Sequence, residues 1–252
     1  MHFDHGAEFP LPKGVRVLKS TNNLGPGGGR NLMVQAARYE WVASFDDDSF
    51  PEGLDFFARV EQHIQRFPFA GVLACTIQHR DPRHDSQGPT MDCEVANFVG
   101  CGCIYRKAAF LSTGGYVPLP VAYGMEEVDL ALQLRHLGIP IIYCPALAVI
   151  HDTTLSHHES ARITAGATQN QALIAWLRYP AASLPYGFIQ WLNKIRDSLR
   201  RGRFAGTLRG ILGTPAHLWQ FRALRSPVGS KVLADWRVLR DQPRPLPIKG
   251  IP

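Results

Sequence analysis

The chain has 252 residues, enough for one large domain or one domain with an appendage. Its 45% hydrophobic content excludes wholesale disorder. The net charge of +6 is unevenly divided: residues 1–180 hold 14 Lys and Arg against 18 Asp and Glu, residues 181–252 hold 13 against 3. An acidic body with a basic tail implies two tasks, the tail meeting something anionic.

In chain order, Val15–Leu18 predicts a short strand and residues 22–31 a glycine-rich turn feeding a helix. Trp41–Phe45 predicts a second strand that stops at Asp46-Asp47-Asp48. Leu54, Phe57, Val60, Ile64 and Phe67 then recur at helical spacing. Ala70–Ile77 reads as a strand buried on both faces, residues 80–92 as a surface loop and 94–106 as a further strand. Helices follow near 107–113 and 127–137, and a strand at Ile139–Cys144. Alternating strands and helices predict an α/β layered domain over residues 1–155. A helical, basic, amphipathic extension is expected over 156–240, and a loose proline-rich tail over 241–252.

The five cysteines, at 75, 93, 101, 103 and 144, follow no zinc or disulfide spacing and read as reduced thiols of a cytosolic core. Met1-His2-Phe3-Asp4 has neither a basic region nor an apolar run, so no signal peptide is expected. Gly138–Ile150 is too short to cross a bilayer. Ala172–Leu192 is broken by Arg178, Pro180, Pro185 and Gln190.

Three groups of residues could carry chemistry. Asp46 and Asp48 share a side of an extended chain, and a hard cation between two such carboxylates relieves their repulsion. A solvated turn with Ser49 or Asp48 capping the next helix is the plain alternative. Glu126-Glu127-Val128-Asp129 opens a helix whose apolar stripe is Leu130, Leu134 and Leu137. The helix dipole accounts for one or two acids there, and a third suggests a general base. His151 follows the apolar run 146–150, where a lone histidine is ordinarily structural.

Taken in order, Asn23-Leu24-Gly25, Gly29-Arg30-Asn31, Phe45-Asp46-Asp47-Asp48, Gly100–Arg106, Glu126–Leu130, Pro145 and His151 resemble family-2 glycosyltransferases of the GT-A fold over residues 14–180. The nearest look-alikes add rhamnose, galactose or related sugars to bacterial cell-surface polysaccharides and lipids. The resemblance implies a Rossmann-like layered mixed sheet flanked by helices. It implies that Asp46 and Asp48 hold Mg2+ or Mn2+ against the diphosphate of a nucleotide-sugar, with His151 completing the metal shell. Glu127 would be the base of an inverting transfer, with Asp129 and Glu126 as alternatives. Arg30, Asn31 and Asp47 would shape the donor site, and Gly100, Gly102 and Arg106 would lie on a strand passing the sugar and acceptor.

Two departures stand out. The family's first βαβ unit, which holds the nucleotide base, has no counterpart in the fourteen residues before Val15. A truncated sequence, or a diverged protein that binds no nucleotide alone, is the expectation, with a sheet edge left open. Gln133 also stands where relatives carry arginine, with Arg135 two residues on.

Between Trp191 and Arg240, apolar residues such as Leu199, Phe204, Leu208, Leu212 and Trp219 alternate with arginines. That suits an anionic membrane surface over residues 191–240, or an apolar stripe packed on the domain; no motif supports nucleic acid. The expected location is cytoplasmic, peripheral on the inner face of the cell membrane, with a glycan or lipid-linked acceptor. A non-catalytic, membrane-associated scaffold is the competing function. A metal-dependent hydrolase is a third.

Overall fold

The computed structural model describes residues 13–79, 88–121, 123, 125–153 and 160–246. Most of the loop expected over 80–92, the end of the tail, and Gly124 lie outside them.

The chain is a mixed α/β layer structure. Helix α1 (Gly25–Ala36) precedes strand β1 (Trp41–Phe45), a short strand β2 (Ser49–Pro51), helix α2 (Phe56–Arg66) and strand β3 (Val72–His79). Strands β4 (Cys93–Val95) and β5 (Gly102–Arg106), helices α3 (Lys107–Leu111) and α4 (Glu126–His136), and strand β6 (Ile141–His151) complete the body. Helices α5 (Ala161–Arg178), α6 (Leu184–Arg200), α7 (Phe204–Gln220) and α8 (Ser230–Asp241) follow, then strand β7 (Arg244–Pro245).

The sheet runs β1-β5-β3-β6-β4-β7, with β2 also paired to β6. Only β3 and β6 are parallel among these pairs. Alternation along the strands sends residues to two faces. Val72, Ala74, Cys103, Tyr105 and Ile141 enter a core with Val34, Phe110, Leu130 and Leu134 from α1, α3 and α4. Leu73, Cys75, Ile104, Ile142 and Cys144 enter the opposite core, under Phe56 and Val60 of α2. A third core joins Leu132 of α4 to Leu173 and Leu177 of α5 and Leu233 and Trp236 of α8.

Several expectations are corrected. Val15–Leu18 forms no strand. The glycine run is not a turn but the first two turns of α1, a residue choice set by closeness: a Cβ on Gly25, whose φ is +66°, would lie 1.9 Å from the Leu119 carbonyl oxygen. The buried stripe of α2 begins at Phe56, while Leu54 and Phe57 face solvent. Residues 94–106 are two strands in different parts of the sheet, because β4 pairs with β6 and β5 with β1 and β3. Strand β6 continues to His151, which therefore ends a strand rather than following one. Arg244 and Pro245, in the stretch read as loose tail, pair with Glu94 and Cys93. The outer edge of β1 has no partner strand among the described residues and borders a groove lined by Gly14, Arg16, Tyr39 and Trp41.

Candidate active site

The carboxyl ends of β1, β3 and β6 meet the start of β5 at one end of the sheet, where open α/β folds present ligands. The three aspartates leave β1 here. Their turn is closed by Ser49, whose Oγ accepts from Asp46 N at 2.6 Å and donates to the Cys101 carbonyl at 2.8 Å. Ser49 thus ties the turn to the segment before β5 and caps no helix. Strand β2 then pairs Ser49 with His151, which brings Asp48 Oδ1 to 3.2 Å from His151 Nε2. Asp47 points to solvent.

Arg30 is the hub. Only 4% exposed, it donates from Nη2 to Asp46 at 2.5 Å and from Nη1 to Glu126 at 2.7 Å. One guanidinium thus joins α1, the aspartate turn and the first residue of α4. Burial works against its charge, but the carboxylates of Asp46 and Glu126 outweigh that and keep it a firm cation. A Cβ on Gly100 would sit 2.9 Å from the guanidinium carbon, so glycine is needed for the arginine to pass.

The acids of α4 separate into three environments. Glu126 is buried, and burial, with the charge of Glu127, pushes its pKa up to about 7 against the pull of Arg30. Its Oε2 has no hydrogen-bond partner. Glu127 is half-buried and accepts from Gly100 N at 3.1 Å. Asp129 is fully enclosed, held by Arg178 Nε at 2.6 Å, Arg178 Nη2 at 3.1 Å and Gln133 Nε2 at 2.7 Å. Burial nonetheless pushes its carboxyl above the usual range. Asp129 has no access to a substrate and serves as an internal strut.

Other expected site residues lie elsewhere. Asn31 uses its amide on the backbone N and O of Tyr116, both at 2.9 Å, and so pins α1 to the segment before α4. Gly102 is packed beneath Ile77 and Val149, where a Cβ would come within 2.5 Å of Ile77 Cδ1. Arg106 is at the wrong end of β5: it pairs with Trp41, whereas Gly102 pairs with Phe45 beside the aspartates. Four residues of strand put it roughly 13 Å away, where it donates to the Pro68 carbonyl. Arg135 binds Glu94 and Asp235, and does not reach the site in place of the missing arginine.

Arg178 is the residue that sequence reasoning missed. It appeared only as an interruption in an apolar run, yet a cation inside such a run signals a buried acid elsewhere. Ser44, whose Oγ donates to the Gly100 carbonyl at 2.9 Å, carried no signal in the sequence, and Ser49 signalled only a helix cap.

No curated protein matches the chain. Solved structures do, at low identity. GalNAc-T7 with UDP, GalNAc and Mn2+ aligns with a TM-score of 0.49 and 11% identity over 65% of this chain and 36% of its own. The mannosyltransferase PcManGT from Pyrobaculum calidifontis, in complex with GDP-Man and Mn2+, gives 0.47 and 14% over 89% and 69%. Residues 1–349 of S. aureus TarS give 0.45 and 14% over 81% and 73%. The chain therefore spans about a third of the first of these structures. Residues 5–111 match the model of the family described as Glycosyl transferase family 2, a stretch that contains Arg30, Asp46, Asp48 and Gly100.

Proposed function

We propose that the chain transfers a sugar, a hexose or rhamnose, from a nucleoside-diphosphate sugar to a glycan or lipid-linked hydroxyl, with inversion, at the end of the sheet that holds Arg30. The observation that carries this reading is the gathering of Asp46, Asp48, Glu126, Glu127 and His151 around one buried arginine and one aspartate turn.

A divalent cation fits the donor set. Asp48 Oδ1 and His151 Nε2 stand 3.2 Å apart, near the ~3 Å that separates neighbouring ligands of an ion bound at about 2.1 Å. Asp48 and His151 would hold Mg2+ or Mn2+, while Asp46, the third expected ligand, is engaged by Arg30; the imidazole favours Mn2+ of the two. When bound, the cation neutralises the charge gathering on the diphosphate leaving group. Glu127 is the base in this reading. Glu126 is bound to Arg30 and Asp129 to Arg178, so Glu127 alone of the three combines partial exposure with a fixed orientation. It takes the acceptor proton as the hydroxyl attacks the anomeric carbon opposite the leaving group, and a single displacement of this kind inverts the centre.

The second part of the reading is a surface. Phe188, Ile189, Leu192, Phe204, Leu208, Leu212 and Trp219 are exposed on α6 and α7, interspersed with Arg200, Arg201 and Arg209. No helix among the described residues is long and apolar enough to cross a membrane. Apolar and basic side chains together favour an anionic lipid face, as on the inner side of the cell membrane.

The test is release of nucleoside diphosphate from a panel of nucleotide-sugars with Mn2+ and a lipid-linked acceptor. Glu127→Gln should lower turnover by about 10²–10⁴-fold while leaving donor binding in place, and Asp48→Asn should weaken metal-dependent donor binding. Turnover by Glu127→Gln at the parental rate would remove the base assignment. Absence of both turnover and metal-dependent nucleotide binding on every donor would favour the scaffold.

A further inference from the structure

A second group of metal-ligating side chains lies on the opposite side of the sheet from α4. His63 on α2, Asp92 just before β4 and Cys144 on β6 bring one ligand atom each within 4.8 Å of one another. We propose that these three residues bind a thiophilic divalent cation, Zn2+ by preference, which staples α2 to two strands of the sheet.

The geometry of His63 supports this. Its Nδ1 lies 2.7 Å from the Arg59 carbonyl oxygen, a group that can only accept, so Nδ1 carries the proton. In the neutral ring the lone pair is then on Nε2, which faces Asp92 Oδ1 at 3.6 Å. A backbone carbonyl on the far nitrogen is how ligating histidines are commonly oriented. Cys144 is fully buried, its thiol directed only weakly at the Ile142 carbonyl, 3.7 Å away. Ligand atoms around a tetrahedral Zn2+ lie roughly 3.3–3.7 Å apart, so the cluster needs only a small contraction. The set of one imidazole, one thiolate and one carboxylate leaves a fourth position for water. Binding converts the Cys144 thiol to thiolate, the proton leaving to solvent.

Without the cation, Asp92 is held by Arg66, and by His63 when that ring is protonated. Arg66 is two-thirds exposed, whereas the side chains of Asp92 and His63 are 12% and 11% exposed. Exposed pairs contribute little, ~1 kcal/mol or less, so Arg66 can swing out and leave Asp92 to the metal.

Co2+ is the probe. After chelator treatment, the Asp48→Asn chain, which lacks one ligand of the other site, should take up one equivalent of Co2+. A thiolate-to-cobalt charge-transfer absorption should accompany it and should bleach when Zn2+ is added. Cys144→Ser should abolish the band, and His63→Gln, with its fold checked by circular dichroism, should weaken Co2+ binding at least tenfold. No band in the Asp48→Asn chain, a band that survives Cys144→Ser, or full affinity in His63→Gln overturns the proposal.

Discussion

The sheet and the α5–α7 layer solve burial in opposite ways. In β3, β5 and β6 large apolar residues alternate into two cores and the polar groups collect at one end, where the acids and Arg30 lie. In α7 the sides are reversed. Gly206, Thr207, Gly210 and Thr214 face inward, while Phe204, Leu208, Leu212 and Trp219 face out. Hydrophobic burial alone would turn the leucines inward at about 25 cal/mol per Å². Close approach wins instead: a Cβ on Gly206 or Gly210 would come within 2.7 Å of Thr164 or Thr168 on α5. The amphipathic pattern of α7 thus describes an outer surface, whereas α8, in the same basic extension, packs Leu233, Trp236 and Leu239 on the domain.

The two regions are joined by the most deeply buried ion pair between them, Asp129 of α4 with Arg178 of α5. Arg178 also reaches the carbonyls of Leu224 and Ser226. Removing one partner leaves an uncompensated charge, so Arg178→Met should destabilise the chain by about 3–5 kcal/mol in urea denaturation. Replacing both, with Asp129→Leu added, should recover a large part of that loss. If Arg178→Met alone were neutral, the regions would not depend on the pair.

The inverted packing of α7 gives the next effect. Gly210→Leu should cost about 1–3 kcal/mol through overpacking against Thr168. The same enlargement at exposed Ala205 should stay within roughly 0.5 kcal/mol. Equal costs at the two positions would mean that α7 is not seated on α5 through its small residues.

Titration separates the regions by sign. Glu126 has its folded pKa raised to about 7 from 4.5, chiefly by burial. Between those values the folded chain holds a proton that the unfolded chain releases, so this stability is present below the unfolded pKa and is lost as pH rises towards 7. The slope approaches about 1.4 kcal/mol per pH unit, and Glu126→Gln should flatten it in denaturation curves taken from pH 4.5 to 8. His217, on α7, is shifted down by burial. Its contribution is lost instead as pH falls below the ordinary histidine range. A parental slope retained in Glu126→Gln would locate that proton elsewhere.

Legibility followed the range over which each feature is determined. β1 and α4 could be read within a residue because apolar periodicity and the flanking acids are local. Asp48 and His151 could be paired only through the resemblance, since their meeting depends on β2, a three-residue strand with no pattern of its own. Arg106 was misplaced for want of register: being on the right strand does not say which end. Asn31 looked like a ligand-binding residue, yet the backbone of Tyr116, 85 positions along, claims its amide. All five cysteines are free and buried, as their spacing implies, yet spacing is blind to a cluster gathered from positions 63, 92 and 144.

The outward residues of α7 give the smallest expected effect on stability and the cleanest contrast with the sheet. Leu208→Ser, Leu212→Ser and Trp219→Ser combined should change unfolding free energy by less than about 1 kcal/mol, since each side chain is already more than half exposed. Trp219 loses its stacking under the Arg222 guanidinium, 4.0 Å from the ring centre, an exposed contact of roughly 0.5–1 kcal/mol at most. If these residues enter the interface of an anionic bilayer, the same triple variant should lose most of its flotation with vesicles containing anionic lipid. It should keep parental turnover on a water-soluble acceptor, because none of the three touches Arg30 or the aspartate turn. Loss of stability without loss of flotation would mean that α7 contributes a folded surface and no lipid contact, and the basic residues would then need another anionic partner.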